Sequence, residues 1–207
     1  MRHSLSIDGY GYRLRPITFD DAQFIIDVRT ENTERTKYIH SISTDISLQL
    51  QWLENYFKTP NDYYFVIENK SSMNLEGLIS IYNISNNKGE SGRWVIKQNS
   101  LSAVESWYLL YRLSFEILLL EEVFCKVITE NKPVVAFHKS VKQKIRKTTT
   151  KSCILDGIEY DEIEFYIDRD YFFSTVQPRL EKITKSVFGK NELISPPTIS
   201  LPIINMD

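Results

Sequence analysis

Apolar and polar positions change period several times along the 207-residue chain. "GYRLRPIT" alternates with a period of two and reads as a short strand. Thr18 then caps a helix through "FDDAQFIIDVRT", with Asp21 in its first turn. A second helix follows "STD", where Ile46, Leu48, Leu50, Trp52, Leu53, Tyr56 and Phe57 predict a broad apolar face. Two strands come next, "DYYFVIEN" and "LEGLISIYNI", joined by the polar turn "KSSMN". After the turn "SNNKGES", the strand "GRWVIK" leads into a long helix over 103–119. "EVFCKVIT" is a further strand and "NKPVVAFHKSV" a short helix. Asp156-Gly157 turns a hairpin of "IRKTTTKSCIL" and "IEYDEIEFYID".

The order β-α-α-β-β-β-α-β-α-β-β groups its helices and its hairpins. That predicts a mixed α/β layer fold, α+β in character, rather than a regular doubly wound one. One domain over residues 1–173 and a separate tail over 174–207 follow. "VQPRLEKITKSVF" suits one more helix, whereas "ELISPPTISLPIINMD" is too rich in proline for one and predicts an extended arm. Leu193, Ile194, Ile199, Leu201, Ile203 and Ile204 give that arm an apolar density unlike a solvated tail. It is expected to pack on its own domain or on a second copy, as a homodimer.

Composition narrows the function only by exclusion. A formal net charge of -2 exerts no pull toward nucleic acid or an anionic membrane. The opening "MRHSLSIDGYGYRLRP" lacks the apolar core of a signal peptide, and no run approaches the ~18 apolar residues of a span. A cytoplasmic protein is expected. Cys125 and Cys153 fall in strand-like runs and read as buried, reduced thiols, and no metal-ligand spacing occurs.

The order of elements, with "GRWVIKQNSLSAVES" and then "SFEILLLEEVFCKVITENKPVVAFHKSV", resembles the GNAT superfamily of acetyl-CoA-dependent N-acetyltransferases. The resemblance covers roughly residues 11–172 and is most specific from Glu90 to Val141. It implies a mostly antiparallel central sheet flanked by helices, with a splayed central strand and a C-terminal β-hairpin. It implies acetyl-CoA as cosubstrate, with its pyrophosphate at Leu101, Ser102, Ala103 and Val104, and no metal. The physical warrant is the start of a helix, where first-turn amides lack partners and the dipole is positive. "Ser102-Ala-Val-Glu105" reads as a capping box fixing that start. The family's glycine-rich turn is absent, and its Leu-Gly-Phe ending is replaced by Val141-Lys142-Gln143.

The resemblance also suggests roles for single residues. Main-chain amides near Trp94, Val95 and Ile96 would meet the oxyanion, and Asn131 the coenzyme's amide arm or merely its own helix end. Glu90, at the start of the central strand, would be the base; otherwise it is a solvated turn carboxylate. His138 would protonate the leaving thiolate; otherwise it is a surface histidine. Arg29 and Glu31 would line the acceptor cleft, where an arginine can hold a nucleotide phosphate, or Arg29 simply complements its helix dipole. Lys139 and Lys142 are phosphate candidates. Lys144, Arg146, Lys147 and Lys151 read instead as cross-strand pairs, with Lys151 opposite Glu162 and Thr149 opposite Glu164.

The expected acceptor is a primary amine on a nucleotide-linked sugar of surface glycans. A protein N-terminus is the second choice and a polyamine ranks lower. A non-catalytic binding module is the alternative of another class.

Overall fold

The computed structural model describes residues 3–31, 36–188 and 198–200. Its strands are β1 (Ser6–Asp8), β2 (Tyr12–Pro16), β3 (Tyr63–Asn69), β4 (Leu75–Ser85), β5 (Lys88–Ile96), β6 (Glu122–Ile128), β7 (Lys144–Leu155), β8 (Ile158–Asp168) and β9 (Thr198–Ser200). The longer helices are α1 (Ala22–Thr30), α2 (Ile46–Tyr56), α3 (Ala103–Glu116), α4 (Lys132–Ser140) and α5 (Gln177–Phe188). The strands form a single sheet in the order β7-β8-β6-β5-β4-β3-β2-β1-β9. Every neighbouring pair is antiparallel except β5 and β6.

That exception positions the site. β5 and β6 pair only over Lys88↔Glu122, Gly89↔Val123 and Glu90↔Phe124, and then diverge. Beyond Glu90 the sheet opens into a wedge. On its other side β5 carries a bulge: pairing with β4 steps from Ser80↔Gly92 to Leu78↔Val95. Arg93 and Trp94 thus stand against Ile79 alone, and Arg93 takes a left-handed φ of 47°.

Period-two alternation sends side chains to two cores. Phe65, Ile67, Ile79 and Ile81 face α3, where Trp107, Leu110, Tyr111 and Phe115 are buried. Tyr64, Val66 and Leu78 face the opposite layer, with Ile25 and Val28 of α1 and Leu53 and Tyr56 of α2. Val176 and Leu180, leading into and within α5, join the α3 core.

Several boundaries differ from expectation, each for a local reason. β1 is an added strand. β5 begins at Lys88, because Asn86 and Asn87 alone make the turn, both with positive φ. Glu90 therefore sits inside a strand rather than in a polar loop. α3 ends at Glu116 rather than 119, and Leu119 has a φ of 53°. The buried residues of α2 are Gln49, Leu53 and Tyr56, while Ile46, Leu48 and Trp52 are 40%, 51% and 40% exposed. In the hairpin Thr149 opposes Glu162 and Lys147 opposes Glu164. The irregularity between Thr149 and Cys153 shifts the register, and Lys151 pairs with Glu159 at 3.0 Å instead. Both cysteines are free thiols, but only Cys125 is buried.

In the tail, Thr198–Ser200 adds to β1 of the same chain through Ile7↔Ile199, and Ile199 packs against the core. Leu193, Ile194, Leu201, Ile203 and Ile204 lie outside the described residues.

Candidate active site

Two cavities meet where β5 and β6 part. One, of about 630 Å³, is lined by Trp94, Val95 and Ile96 of β5, Ser100 and Ala103 before and at the start of α3, and Asn131, Val134 and Phe137 around α4. The other, of about 790 Å³, runs from the same junction toward α1, α2 and the β7–β8 hairpin. Tyr38, Ile39, Trp94, Val95, Asn131 and Val134 line both. A donor bound in the first cavity and an acceptor in the second would therefore meet beside the β5 bulge.

The first cavity suits a long, flexible molecule ending in phosphates. Its walls are a strand edge, apolar side chains and a helix start. Among the expected coenzyme contacts, Trp94, Val95, Ile96, Ala103 and Asn131 line it, whereas Leu101, Ser102, Val104 and Lys139 do not. Leu101 and Lys139 are exposed and Ser102 is completely buried. Glu31, expected on the acceptor side, lines this cavity instead.

The capping box does not form. The backbone amide of Ser102 donates to Ser100 Oγ at 3.1 Å, so the preceding serine supplies the local cap. The Glu105 carboxylate turns away to accept from the backbone amides of Tyr10 and Gly11. Burial raises its carboxyl to about 7 against the opposing pull of those amides. A Cβ on Gly9 would collide with Glu105 Oε1 and Leu109 Cδ1, so any side chain there would have to displace the buried carboxylate. Lys142, at the position of the glycine in the family's Leu-Gly-Phe ending, takes a left-handed φ of 64°. Gln143 beside it is buried, and its amide donates to the Tyr111 hydroxyl at 2.6 Å.

In the second cavity Glu90, Arg29 and His138 come together. The Glu90 carboxylate accepts from Asn83 Nδ2 at 2.9 Å and from the Tyr82 hydroxyl at 3.3 Å. Arg29 Nη2 donates to the His40 carbonyl at 2.6 Å, and Arg29 meets no carboxylate among the described residues. His138 lies on the floor, only 3% exposed, stacked on Phe165 with ring centroids 5.1 Å apart. Its ring nitrogens sit 3.8 and 3.9 Å from the Cys125 sulfur. Burial drives its imidazole down to about 4, so at neutral pH it carries no extra proton to give a thiolate. It is not a surface histidine either. The Cys125 thiol is pushed up by the same burial and stays protonated.

Several cavity residues were not expected from the sequence. Arg93 forms a two-pronged pair with Asp62 at 2.6 and 2.8 Å. Its guanidinium lies 4.5 Å from the Tyr82 ring, 5.4 Å from Tyr64 and 5.8 Å from Trp52. Nothing local to "GRWV" announces the bulge that turns Arg93 inward. Gln49 could have been found, as a polar residue in helical register with Leu53 and Tyr56.

A parted parallel pair beside a bulged strand, with a coenzyme-sized cleft opening onto a second cavity, defines an acyltransferase of the two-substrate kind. The acetyltransferase (GNAT) domain family matches residues 12–142, more than half of the chain, and the chain belongs to that family. It is an acetyl-CoA-dependent N-acetyltransferase. No curated protein matches its sequence. Among solved structures, a mutant of the spermidine N-acetyltransferase SpeG from Vibrio cholerae has a TM-score of 0.70 at 18% identity, over 79% of this chain and 97% of that one. Apo FdhC, a nucleotide-linked sugar GNAT, has a TM-score of 0.66 at 23% identity, over 88% of this chain and 96% of that one. Both likenesses establish the fold. Among the described residues no helix is long and apolar enough to cross a membrane, and no group of three or more His, Cys, Asp or Glu could hold a metal.

Proposed function

We propose that the chain transfers acetyl from acetyl-CoA directly to the primary amine of a nucleotide-linked amino sugar, as a cytoplasmic step of surface-glycan synthesis. The observation that carries this reading is Arg29, a cavity-lining cation with no carboxylate partner among the described residues. A guanidinium that meets no carboxylate among the described residues favours an acceptor bearing phosphate and disfavours a polycation such as spermidine. Arg93, although neutralised by Asp62, adds no attraction for a polyamine. The solved neighbour named as a nucleotide-linked sugar GNAT supports the same choice.

In this reading Glu90 accepts the proton of the attacking ammonium, directly or through water. A main-chain amide of the bulged segment Trp94–Ile96 takes the charge developing on the carbonyl oxygen as nitrogen bonds to carbon. The carbon–sulfur bond then breaks, and the thiolate takes its proton from water or from the Tyr38 phenol, which lines both cavities. His138 shapes the floor. A homodimer through the tail is compatible with this fold as an exchange of β9 between copies. Solution mass after deletion of 190–207 tests it.

Release of free thiol in the presence of amino-sugar nucleotides, peptides with free N-termini and spermidine decides the acceptor. The reading expects turnover with an amino-sugar nucleotide at least tenfold above the other two. Preference for a peptide or for spermidine would overturn it. Failure to bind coenzyme A by calorimetry would favour a non-catalytic module.

A further inference from the structure

Gln49 is 7% exposed and lines the acceptor cavity, yet its side-chain amide meets no hydrogen-bond partner among the described residues. It occupies the buried stripe of α2 with Leu53 and Tyr56, yet its carboxamide atoms are not sealed off from the cavity. Its backbone amide bonds to the Asp45 carbonyl in the ordinary helical way, so the side chain is not spent on capping. One turn on, Trp52 lines the same cavity. Its indole stacks on Tyr56, with centroids 5.5 Å apart and planes within 4°, and the residue stays 40% exposed. A large aromatic side chain left open thus stands beside a carboxamide that opens on the cavity and that no protein group engages among the described residues. The pair is well suited to holding a flat ligand with a polar edge.

We propose that α2 carries a nucleobase subsite, in which Trp52 stacks the base and Gln49 reads its hydrogen-bonding edge. This rests on the nucleotide-linked acceptor argued above and assigns its recognition. A carboxamide offers a donor and an acceptor side by side, which matches the donor–acceptor edge of a base with two parallel bonds. An indole face stacks on any base. A polyamine supplies donors alone and no flat face, and would leave the Gln49 amide nitrogen unmet. The location agrees. Trp94 and Asn131, shared by both cavities, mark the reacting end, whereas Gln49 and Trp52 line the acceptor cavity alone. Arg29 lines that cavity too and would meet the diphosphate.

The test titrates UDP, dTDP, CDP and GDP, and inorganic pyrophosphate as the probe without a base, into the full chain by calorimetry. At least one nucleoside diphosphate should bind tenfold or more tighter than pyrophosphate. Trp52→Leu should remove most of that advantage, and Gln49→Leu should flatten the preference among bases. Acetyl-CoA affinity should stay within twofold in both variants. Because Trp52 is open to solvent, Trp52→Leu reports on the subsite even if Gln49→Leu alters packing. If both variants bind nucleoside diphosphates as the parent does and still acetylate an amino-sugar nucleotide, the subsite is wrong and the acceptor reading stands. If no amino-sugar nucleotide is acetylated while spermidine or a peptide is, the acceptor reading itself falls, and the subsite with it.

Discussion

The two cavities that meet at Trp94 are built from different materials. The side proposed for the coenzyme combines the parted edge of β5 and small or apolar side chains such as Ala103, Val134 and Phe137 with polar ones at Glu31, Lys37, Gln98, Glu130 and Lys132. The acceptor side is lined by Arg29, Trp52, Tyr64, Tyr82, Glu90 and Arg93, held by long-range contacts such as Arg93–Asp62. A cleft of the first kind follows from the fold and serves any acyltransferase that shares it. A cavity of the second kind depends on which side chains the elements happen to deliver, and it is where one enzyme differs from another. Substitutions should therefore separate cleanly, with coenzyme binding answering to one side and acceptor chemistry to the other.

The largest expected effect concerns the floor of the second cavity. Burial lowers the folded-state pKa of His138 from 6.5 to about 4, so the unfolded chain takes up a proton that the folded chain refuses. The stability held above about pH 6.5 is lost as pH falls toward 4, by an amount on the order of 3 kcal/mol for this well-buried ring. His138→Phe keeps the stacked ring and should remove that share, leaving the loss from His3, which is lowered in the same direction, and the opposing gain from Glu105, whose carboxyl is raised to about 7 and takes up its proton in the folded chain first. Denaturant unfolding at pH 7 and pH 4.5 measures it. Equal acid sensitivity in parent and variant would put the titrating group elsewhere.

Next in size is Glu90→Gln, expected to lower turnover about a hundredfold with acetyl-CoA affinity unchanged, as a base should. Turnover within twofold of the parent would reduce Glu90 to a strand residue bonded to Asn83 and Tyr82. A parallel loss of coenzyme affinity would mean that the two cavities are not separable.

What the sequence disclosed follows the same division. Element order, the Asp156-Gly157 turn and the strand–helix junction after β5 are local patterns, and periodicity reads them well. The capping box failed because Ser102 and Glu105 satisfy a local pattern while the carboxylate finds buried amides far away in sequence, at Tyr10 and Gly11. Alternation from the Asp156-Gly157 turn sets Lys151 opposite Glu162 because it counts residues and cannot see the irregularity between Thr149 and Cys153. Arg93 and Trp52 escaped for a related reason. A bulge turns one inward, and an exposed face leaves the other open within an apolar run. Periodicity finds the strand–helix junction, but Leu101, Ser102, Val104 and Lys139 miss the cavity beside it, and on the other side Arg93 and Gln49 depend on packing that no local pattern carries.

Ala103→Asp tests the coenzyme side alone. The methyl lines that cavity at the first residue of α3, where a carboxylate would face the incoming phosphates. Acetyl-CoA affinity by calorimetry should fall at least tenfold, with melting temperature little changed, because an acid in the first helical turn is not itself destabilising. Unchanged affinity would move the pyrophosphate away from this helix start.

The smallest expected effect is at the basic run, which on charge alone resembles a phosphate site. Lys144 pairs with Asp168 at 2.7 Å, and Arg146 with Glu122 and Glu164 at 2.6 and 2.8 Å. Lys151, the most exposed of them, pairs with Glu159, whose side chain is itself half exposed. None of these three basic residues lines the coenzyme cavity. Exposed pairs of this kind contribute about 0.2–1 kcal/mol at most and weaken further in salt. Lys151→Ala should therefore leave acetyl-CoA affinity within twofold and shift stability by less than about 0.5 kcal/mol. A tenfold loss of coenzyme affinity in that variant would place phosphate on the hairpin and undo the separation between the two cavities.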